Sequence, residues 1–482
     1  MAPERSAAGW SIDSAYARLP AALHEPAEAA AFPQPALAVV NHALARELGL
    51  DLTRVPPAEL AAILTGQSLL PGSRPIAQAY AGHQYGHFAM LGDGRAILLG
   101  EQVTPAGARY DIHLKGAGET RFSRRGDGRA ALGPMLREHI VSEAMHALGI
   151  PTTRSLAVMT TGEAVARNGA KPGAVLARVA ASHIRVGTFQ YAAGLGDIEV
   201  RRALADHAIE RHDPALAGAP TRYADFLRAV VARQASLVAR WQLVGFVHGV
   251  LNTDNTAVSG ETIDYGPCAF MDAYNPDTVF SSIDHHGRYR YGHQPAIIQW
   301  NLARLAEALV PLLSDDEATA FALANEALEG FAPSYRADWL SGMRAKLGIG
   351  REDPADLELV RGLLAWMQER RADYTNTFRA LSRGERPDGL EPWIARWHAR
   401  LASEGRALDE ALRAMRAVNP AVIARNHLVE EALAAAEERG DYAPLHGLVA
   451  ALATPFELAG SQSRFSEPPP PEFAHYCTFC GT

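Results

Sequence analysis

The stretch His248-Gly249-Val250-Leu251-Asn252-Thr253-Asp254-Asn255 gathers side chains that can accept a proton and hold a cation. Protein kinases use a catalytic loop that opens with His, carries an Asp facing the acceptor hydroxyl, and places a metal-holding Asn five positions after that Asp. Counted back from Asn255, the Asp position is filled by Val250. Asp254, beside the Asn, is the carboxylate that could stand in as base. Further on, Asp264-Tyr265-Gly266 has the Asp-aromatic-Gly form of the second kinase metal site. Asn255 and Asp264 offer oxygen ligands that suit a hard cation, Mg²⁺ or Mn²⁺, arriving with ATP phosphates. Upstream, Lys115 lies in Leu114-Lys115-Gly116-Ala117-Gly118. A kinase needs a lysine there for phosphate oxygens and a helix glutamate to hold the lysine. Glu138 is the candidate glutamate, with Glu143 a second.

These residues need strands and helices in a particular order. His87 to Leu91, Gly92-Asp93-Gly94 and Arg95 to Val103 read as a hairpin with a glycine turn. A turn near Pro105 to Gly107 leads to a third strand, Arg109 to Lys115, in which Tyr110, Ile112 and Leu114 alternate with polar residues as in a half-buried strand. An arginine-rich loop with Gly126-Asp127-Gly128 follows. Pro134 then suits a first helical turn and Gly149 a helix stop, and Leu136, Ile140, Ala144 and Leu148 form an apolar stripe between them. Ser155 to Thr160 and Ala174 to Ala180 read as strands. Tyr223 to Phe246 reads as a long helix ending near His248-Gly249, and Thr256 to Ile263 as a small hairpin that delivers Asp264. The expected architecture is α+β, a protein-kinase-like bilobal fold. Its expected parts are an irregular N-terminal extension (1–75, with a short helix near Leu37 to Leu48), an N-lobe (76–190), a C-lobe with the catalytic loop (191–330), a helical C-terminal region (331–460) and a flexible tail (461–482).

Composition narrows the function classes. The 482 residues are 48% hydrophobic and 21% charged, as in soluble globular proteins. A net charge of -8 argues against a general nucleic-acid binder, which wants excess Lys and Arg. No apolar run of membrane-span length stands out, and Met1 to Trp10 lacks the apolar stretch of a secretory signal, so a cytoplasmic location is expected. Three cysteines make no disulfide framework, and the lone Cys477-Thr478-Phe479-Cys480 lacks the second ligand pair of a structural zinc site. It reads as free thiols or a redox pair. His83 and His87 are four apart, but Gly82 and Gly86 disfavour the helix that would point both at one metal. These two and the adjacent His285 and His286 read as structural or substrate-contacting.

Several motifs in fixed order resemble the selenoprotein O family: Tyr80 to His87, Leu91 to Ala96, Leu114 to Gly118, Ser142 to Met145, Pro151 to Arg154, His248 to Asn255 and Ile263 to Pro267. Two stretches depart from its usual pattern, Arg121-Phe122-Ser123-Arg124 and Gly133-Pro134-Met135-Leu136. The resemblance implies a pseudokinase fold that binds ATP in a flipped orientation and transfers AMP to protein Ser, Thr or Tyr hydroxyls. It implies that Lys115, partnered by Glu138, holds phosphates. Gly92, Gly94, Arg95, Asp127, Gly128, Arg178 and Arg185 would line the nucleotide site. Asp254 would be the base, and Asn255 and Asp264 the metal ligands. Rival readings are a phosphotransferase with the same metal and ATP apparatus, or an inert ATP-binding scaffold. Cys268, close after Asp264, raises one more expectation: a disulfide to Cys477 or Cys480 that tethers the tail over the site.

Overall fold

The computed structural model describes residues 5–167, 169–457, 460–473 and 476–478. Its centre is a nine-stranded antiparallel sheet. Across the sheet the main order is His24–Pro26, Ile76–Gln78, Ala96–Val103, Arg109–Lys115, Ala170–Ala180, Arg154–Ala166 and Ala36–Val40. The hairpin between Ala96–Val103 and Arg109–Lys115 forms as the sequence suggests, with Ala96 opposite Lys115 and Val103 opposite Arg109.

Both faces of this sheet are covered, and the period of two sorts the side chains between them. Ile97, Leu99, Ile112, Leu114, Val175, Ala177 and Val179 join a core with Leu60 and Ile63 of the helix Pro57–Leu64. Leu98 and Leu176 join the opposite core with Leu136 and Ile140 of the helix Leu132–Ala147. His113, Lys115 and Arg178 occupy alternate positions to the first set, so they share the second face. Glu138 lies on the helix that covers that face. The polar positions of the strand read as half-buried are therefore an internal polar layer.

The rest is helical, from Arg222–Val244 through Gln294–Leu313 to Ala443–Leu452. Tyr291–Leu313 does reach the length and apolarity of a membrane span, contrary to the sequence expectation, with half of that stretch buried inside the fold. Ile298, Leu302, Leu305 and Leu309 of this helix sit fully in the main core. The helix Asn426–Arg439 returns to the sheet region. Its Glu437 accepts the Gly133 backbone N–H at 2.9 Å and the Lys171 ammonium at 2.8 Å, and its Glu430 pairs with Arg137 at 3.0 Å.

Four local readings need correction. Residues 1–75 are not an irregular lead-in: they supply three strands to the sheet, one of them Ala36–Val40, so the helix expected near Leu37 to Leu48 covers only His42–Glu47, and Pro57–Leu64 forms a second helix. Val39 and Val40 pair with Val158 and Ala157, where β-branched side chains fit a pleated surface. His87–Met90 pairs with Ala81–Gln84 instead of with the strand after the glycine turn. Thr256 to Ile263 keeps a turn but no ladder, because Ala257 bridges to Arg185 and Thr262 to Thr152. The long helix stops at Val244, where Gly245 adopts a left-handed φ of 73° and its N–H returns to the Trp241 carbonyl.

Gly249, early in the His248 to Asn255 stretch, has φ at 81°, and a Cβ there would lie 2.4 Å from the Pro267 carbonyl oxygen. Gly107 shares a positive φ of 85° but has open space around it. Gly107→Ala should cost only left-handed strain, about 1–2 kcal/mol. Gly249→Ala must also displace backbone, so its Tm should fall clearly further in parallel thermal melts.

Candidate functional site

A cleft of about 780 Å³ opens between the sheet's polar layer and the helical part. Lys115, Glu138, Asp254, Asn255, Asp264 and Arg95 all line it. The Lys115 ammonium donates to Glu138 Oε2 at 2.7 Å and to Asp264 Oδ1 at 2.7 Å. Burial alone would push Asp264 up, yet Lys115 and Arg178 hold its carboxyl well below the usual range. Asp264 also adopts a left-handed φ of 69°, sparsely populated for a residue other than Gly and often found where function fixes the backbone.

Behind the cleft wall the charges continue as a chain. Glu138 accepts from Arg178 at 3.1 Å, and the Arg178 guanidinium donates to His113 Nδ1 at 3.1 Å. His113 Nε2 meets Asp93 Oδ2 at 3.1 Å, and Asp93 faces Arg185 at 3.7 Å. Arg185 then donates to the Asp254 backbone carbonyl at 3.1 Å and stacks over Tyr80 at 4.3 Å. Each side chain from Glu138 to Arg185 is almost wholly buried. Burial disfavours the charged carboxylate of Glu138, but Lys115 and Arg178 outweigh it and keep its pKa low. His113 is a donor to Asp93 and an acceptor from Arg178 only as the neutral imidazole, the form that burial favours.

Asp254 sits at the far end of this chain. Burial pushes its carboxyl up to about 6, against the opposing pull of Arg185. Its Oδ1 is buried and has no hydrogen-bond partner among the described residues. Gly82 presses against it, since a Cβ there would lie 2.2 Å from Oδ1. Asn255 donates from its amide nitrogen to the Val250 carbonyl at 2.9 Å, so its amide oxygen, an acceptor, is the atom that could ligate a cation.

The other expected nucleotide residues separate into two groups. Arg95 lines the cleft, and its guanidinium has no hydrogen-bond or ion-pair partner among the described residues. Arg178 and Arg185 lie behind the wall, in the buried chain. Gly92 and Gly94 back onto the 122–123 loop: a Cβ at Gly92 would meet the Phe122 ring at 2.4 Å and one at Gly94 the Phe122 carbonyl at 2.8 Å. Asp127 is spent in a surface pair with Arg167 at 2.7 Å, and Gly128 abuts the Gly118 backbone. Arg137, Arg167 and Lys171 also line the cleft, and sequence reasoning did not find them. Only Arg137 carried a signal, its place beside Glu138.

The tail also reaches the cleft. Thr478 Oγ1 donates to the Pro267 carbonyl at 2.8 Å, its backbone bridges to Ser281, and the Tyr476 hydroxyl donates to Glu430 at 2.5 Å. Cys268 and Cys477 are free thiols, so the expected bridge between them is not formed; Cys480 lies outside the described residues. Cys268 is fully buried, and burial pushes its thiol up to about 12, while the Cys477 side chain faces solvent.

The model of the family described as protein adenylyltransferase SelO matches residues 9–453. Proteins named protein nucleotidyltransferase YdiU are similar along the whole length. The one from Geobacillus kaustophilus is 57% identical, over 98% of this chain and 100% of its own. The one from Halalkalibacterium halodurans is 55% identical over 98% of each chain, and that from Brevibacillus brevis 53% identical over 98% of each.

Removing a partner from the buried chain strands the charges it held. Arg178→Met leaves Glu138 and His113 short of a donor, and should cost roughly 3–5 kcal/mol by chemical denaturation. Arg18→Met, which breaks only an exposed pair with Asp13, should cost less than about 1 kcal/mol.

Proposed function

Because the chain belongs to the protein adenylyltransferase SelO family and is a nucleotidyltransferase, we propose that it transfers AMP from ATP to Ser, Thr or Tyr hydroxyls of proteins. In this reading the sheet and the helical part act as the two lobes of a kinase-like catalytic unit. The observation that carries the assignment is the buried, unpartnered Oδ1 of Asp254 in one cleft with the Lys115–Glu138–Asp264 ion pairs.

Asp254 accepts the proton of the acceptor hydroxyl. The freed oxygen attacks the α-phosphorus, the bond from that phosphorus to the bridging oxygen breaks, and pyrophosphate leaves. A pKa near 6 suits the role, since a base works best when it titrates close to working pH. Lys115 and Arg95 contribute positive charge toward the phosphates, and Glu138 fixes where the Lys115 ammonium points. The donor set fits a hard cation: Asn255 and Asp264 present oxygens to the same cleft as the orphaned Asp254 oxygen. Mg²⁺ or Mn²⁺ held by Asn255 and Asp264 would neutralise phosphate charge.

The deciding experiment supplies ATP labelled at the α- or the γ-phosphate with Mg²⁺ or Mn²⁺. Protein labelled from the α position alone is expected, and label from the γ position alone would make the enzyme a kinase. Asp254→Asn should lower α-transfer by about 10²–10⁴-fold while the protein stays folded by circular dichroism. Wild-type kcat/KM should rise with pH through about 6, as Asp254 loses its proton, and then level. The Asp254→Asn variant should lack that rise.

A further inference from the structure

Asn252 stands just before the single turn Thr253–Asn255 that carries Asp254 and Asn255. An asparagine in that place ordinarily folds its side-chain oxygen back onto the N–H groups of the turn. Here the side chain makes no such cap. Its Oδ1 accepts instead from the Tyr289 hydroxyl at 2.5 Å and from the Tyr85 backbone N–H at 3.2 Å. The Asn252 backbone carbonyl takes the Asn255 N–H at 3.0 Å and the Thr256 hydroxyl at 3.1 Å. A local preference is thus given up for side-chain partners 37 and 167 residues away, a departure expected where function fixes a residue.

Those partners decide which end of the amide is held. A backbone N–H can only donate, so the atom beside the Tyr85 nitrogen is the oxygen, and the other end is Nδ2 with its two N–H groups. Asn252 lines the same cleft as Lys115, Asp254, Asn255 and Asp264, and nothing among the described residues accepts from its Nδ2. The holding groups are themselves fixed. Tyr289 is buried, and its N–H donates to Asp284 Oδ2 at 2.8 Å. Tyr85 adopts a left-handed φ of 52°, which a tyrosine takes only where its surroundings impose it. The His83 N–H donates to Thr253 Oγ1 at 2.8 Å, so the strand Ala81–Gln84 and the residue after it grip the loop at two successive points.

We infer that Asn252 is a further catalytic residue, whose Nδ2 donates a hydrogen bond to a non-bridging oxygen of the transferred α-phosphate. The inference rests on the AMP-transfer reading and adds a residue to it. The acceptor hydroxyl needs an acceptor for its proton, which Asp254 supplies. The phosphate oxygens carry negative charge and need donors, which an amide nitrogen supplies without adding a charge to the site. A donor held in place before the reaction begins costs no reorganisation as the transition state forms.

Asn252→Asp keeps the oxygen that Tyr289 and Tyr85 hold and changes only Nδ2, whereas Asn252→Ala removes the donor without adding a charge. The full chain and both variants would be compared for transfer of label from the α-phosphate of ATP. The same proteins would be given the two diastereomers of the α-phosphorothioate analogue, in which sulfur replaces one or the other non-bridging oxygen. Asn252→Asp should melt close to wild type yet lose about 10²–10³-fold in transfer rate at saturating ATP, with the half-saturating ATP concentration little changed. Sulfur accepts a hydrogen bond poorly, so wild type should be slowed by one diastereomer. Asn252→Ala should shrink that penalty by about tenfold, the scale of one hydrogen bond, and leave the penalty for the other diastereomer as it was. An Asn252→Asp variant as fast as wild type, or sulfur penalties unchanged in Asn252→Ala, overturns the assignment. Wild type that transfers no α-label at all sinks the AMP-transfer reading beneath it.

Discussion

The Lys115 ammonium between Glu138 and Asp264 is the interaction on which the rest depends. It joins a sheet strand, the covering helix and the loop that carries Asp264 at a single atom. A buried ammonium is costly unless its partners are fixed, so everything around it must hold still. Arg178 supplies the second cation that Glu138 needs, His113 relays to Asp93, and Arg185 closes the chain on the Asp254 carbonyl. Lys115 and Asp254 are therefore tied to one buried polar network, although neither touches the other. Half-satisfied, such a network would be worse than an apolar core; satisfied, it specifies one geometry.

The C-terminal helices stabilise the same arrangement from outside. Glu437 holds both the first turn of the Glu138 helix and Lys171, and Glu430 holds Arg137, the residue next to Glu138. The helix that carries the lysine's partner is thus clamped by residues far along the chain. Tyr476 shares Glu430 with that clamp, so the described part of the tail meets the same position. The sheet face, the covering helix and the returning helix each contribute one side of the cleft.

Local patterns made part of this legible. The alternation of Tyr110, Ile112 and Leu114 gave the strand that ends at Lys115, and Pro134 with Gly149 bracketed the helix that carries Glu138. The spacing of His248, Asp254, Asn255 and Asp264 marked the chemistry, because loop order is a local property. What escaped was set by contacts distant in sequence. Asp111, His113 and Lys115 looked like the wet face of a half-buried strand, since nothing local shows that a helix covers it. The partner of His87–Met90 was misread because register depends on which strand arrives, and here Ala81–Gln84 arrives first. Arg178 and Arg185 were expected at the nucleotide because the family resemblance placed them there. Their burial behind the wall follows from the sheet's second covered face, which the strand pattern alone does not reveal.

A double-mutant cycle on the α-phosphate transfer rate tests the central claim most directly, with Arg178→Lys on the Glu138 side of His113 and Asp93→Asn on the Arg185 side. All four proteins would be compared at a temperature where each is folded. If one buried chain sets both the lysine and the base, the second substitution should add little to the first, and the double variant should lose about as much rate as the worse single one. Losses that multiply independently would mean that the two halves of the chain act separately, and the account of a single network would be wrong.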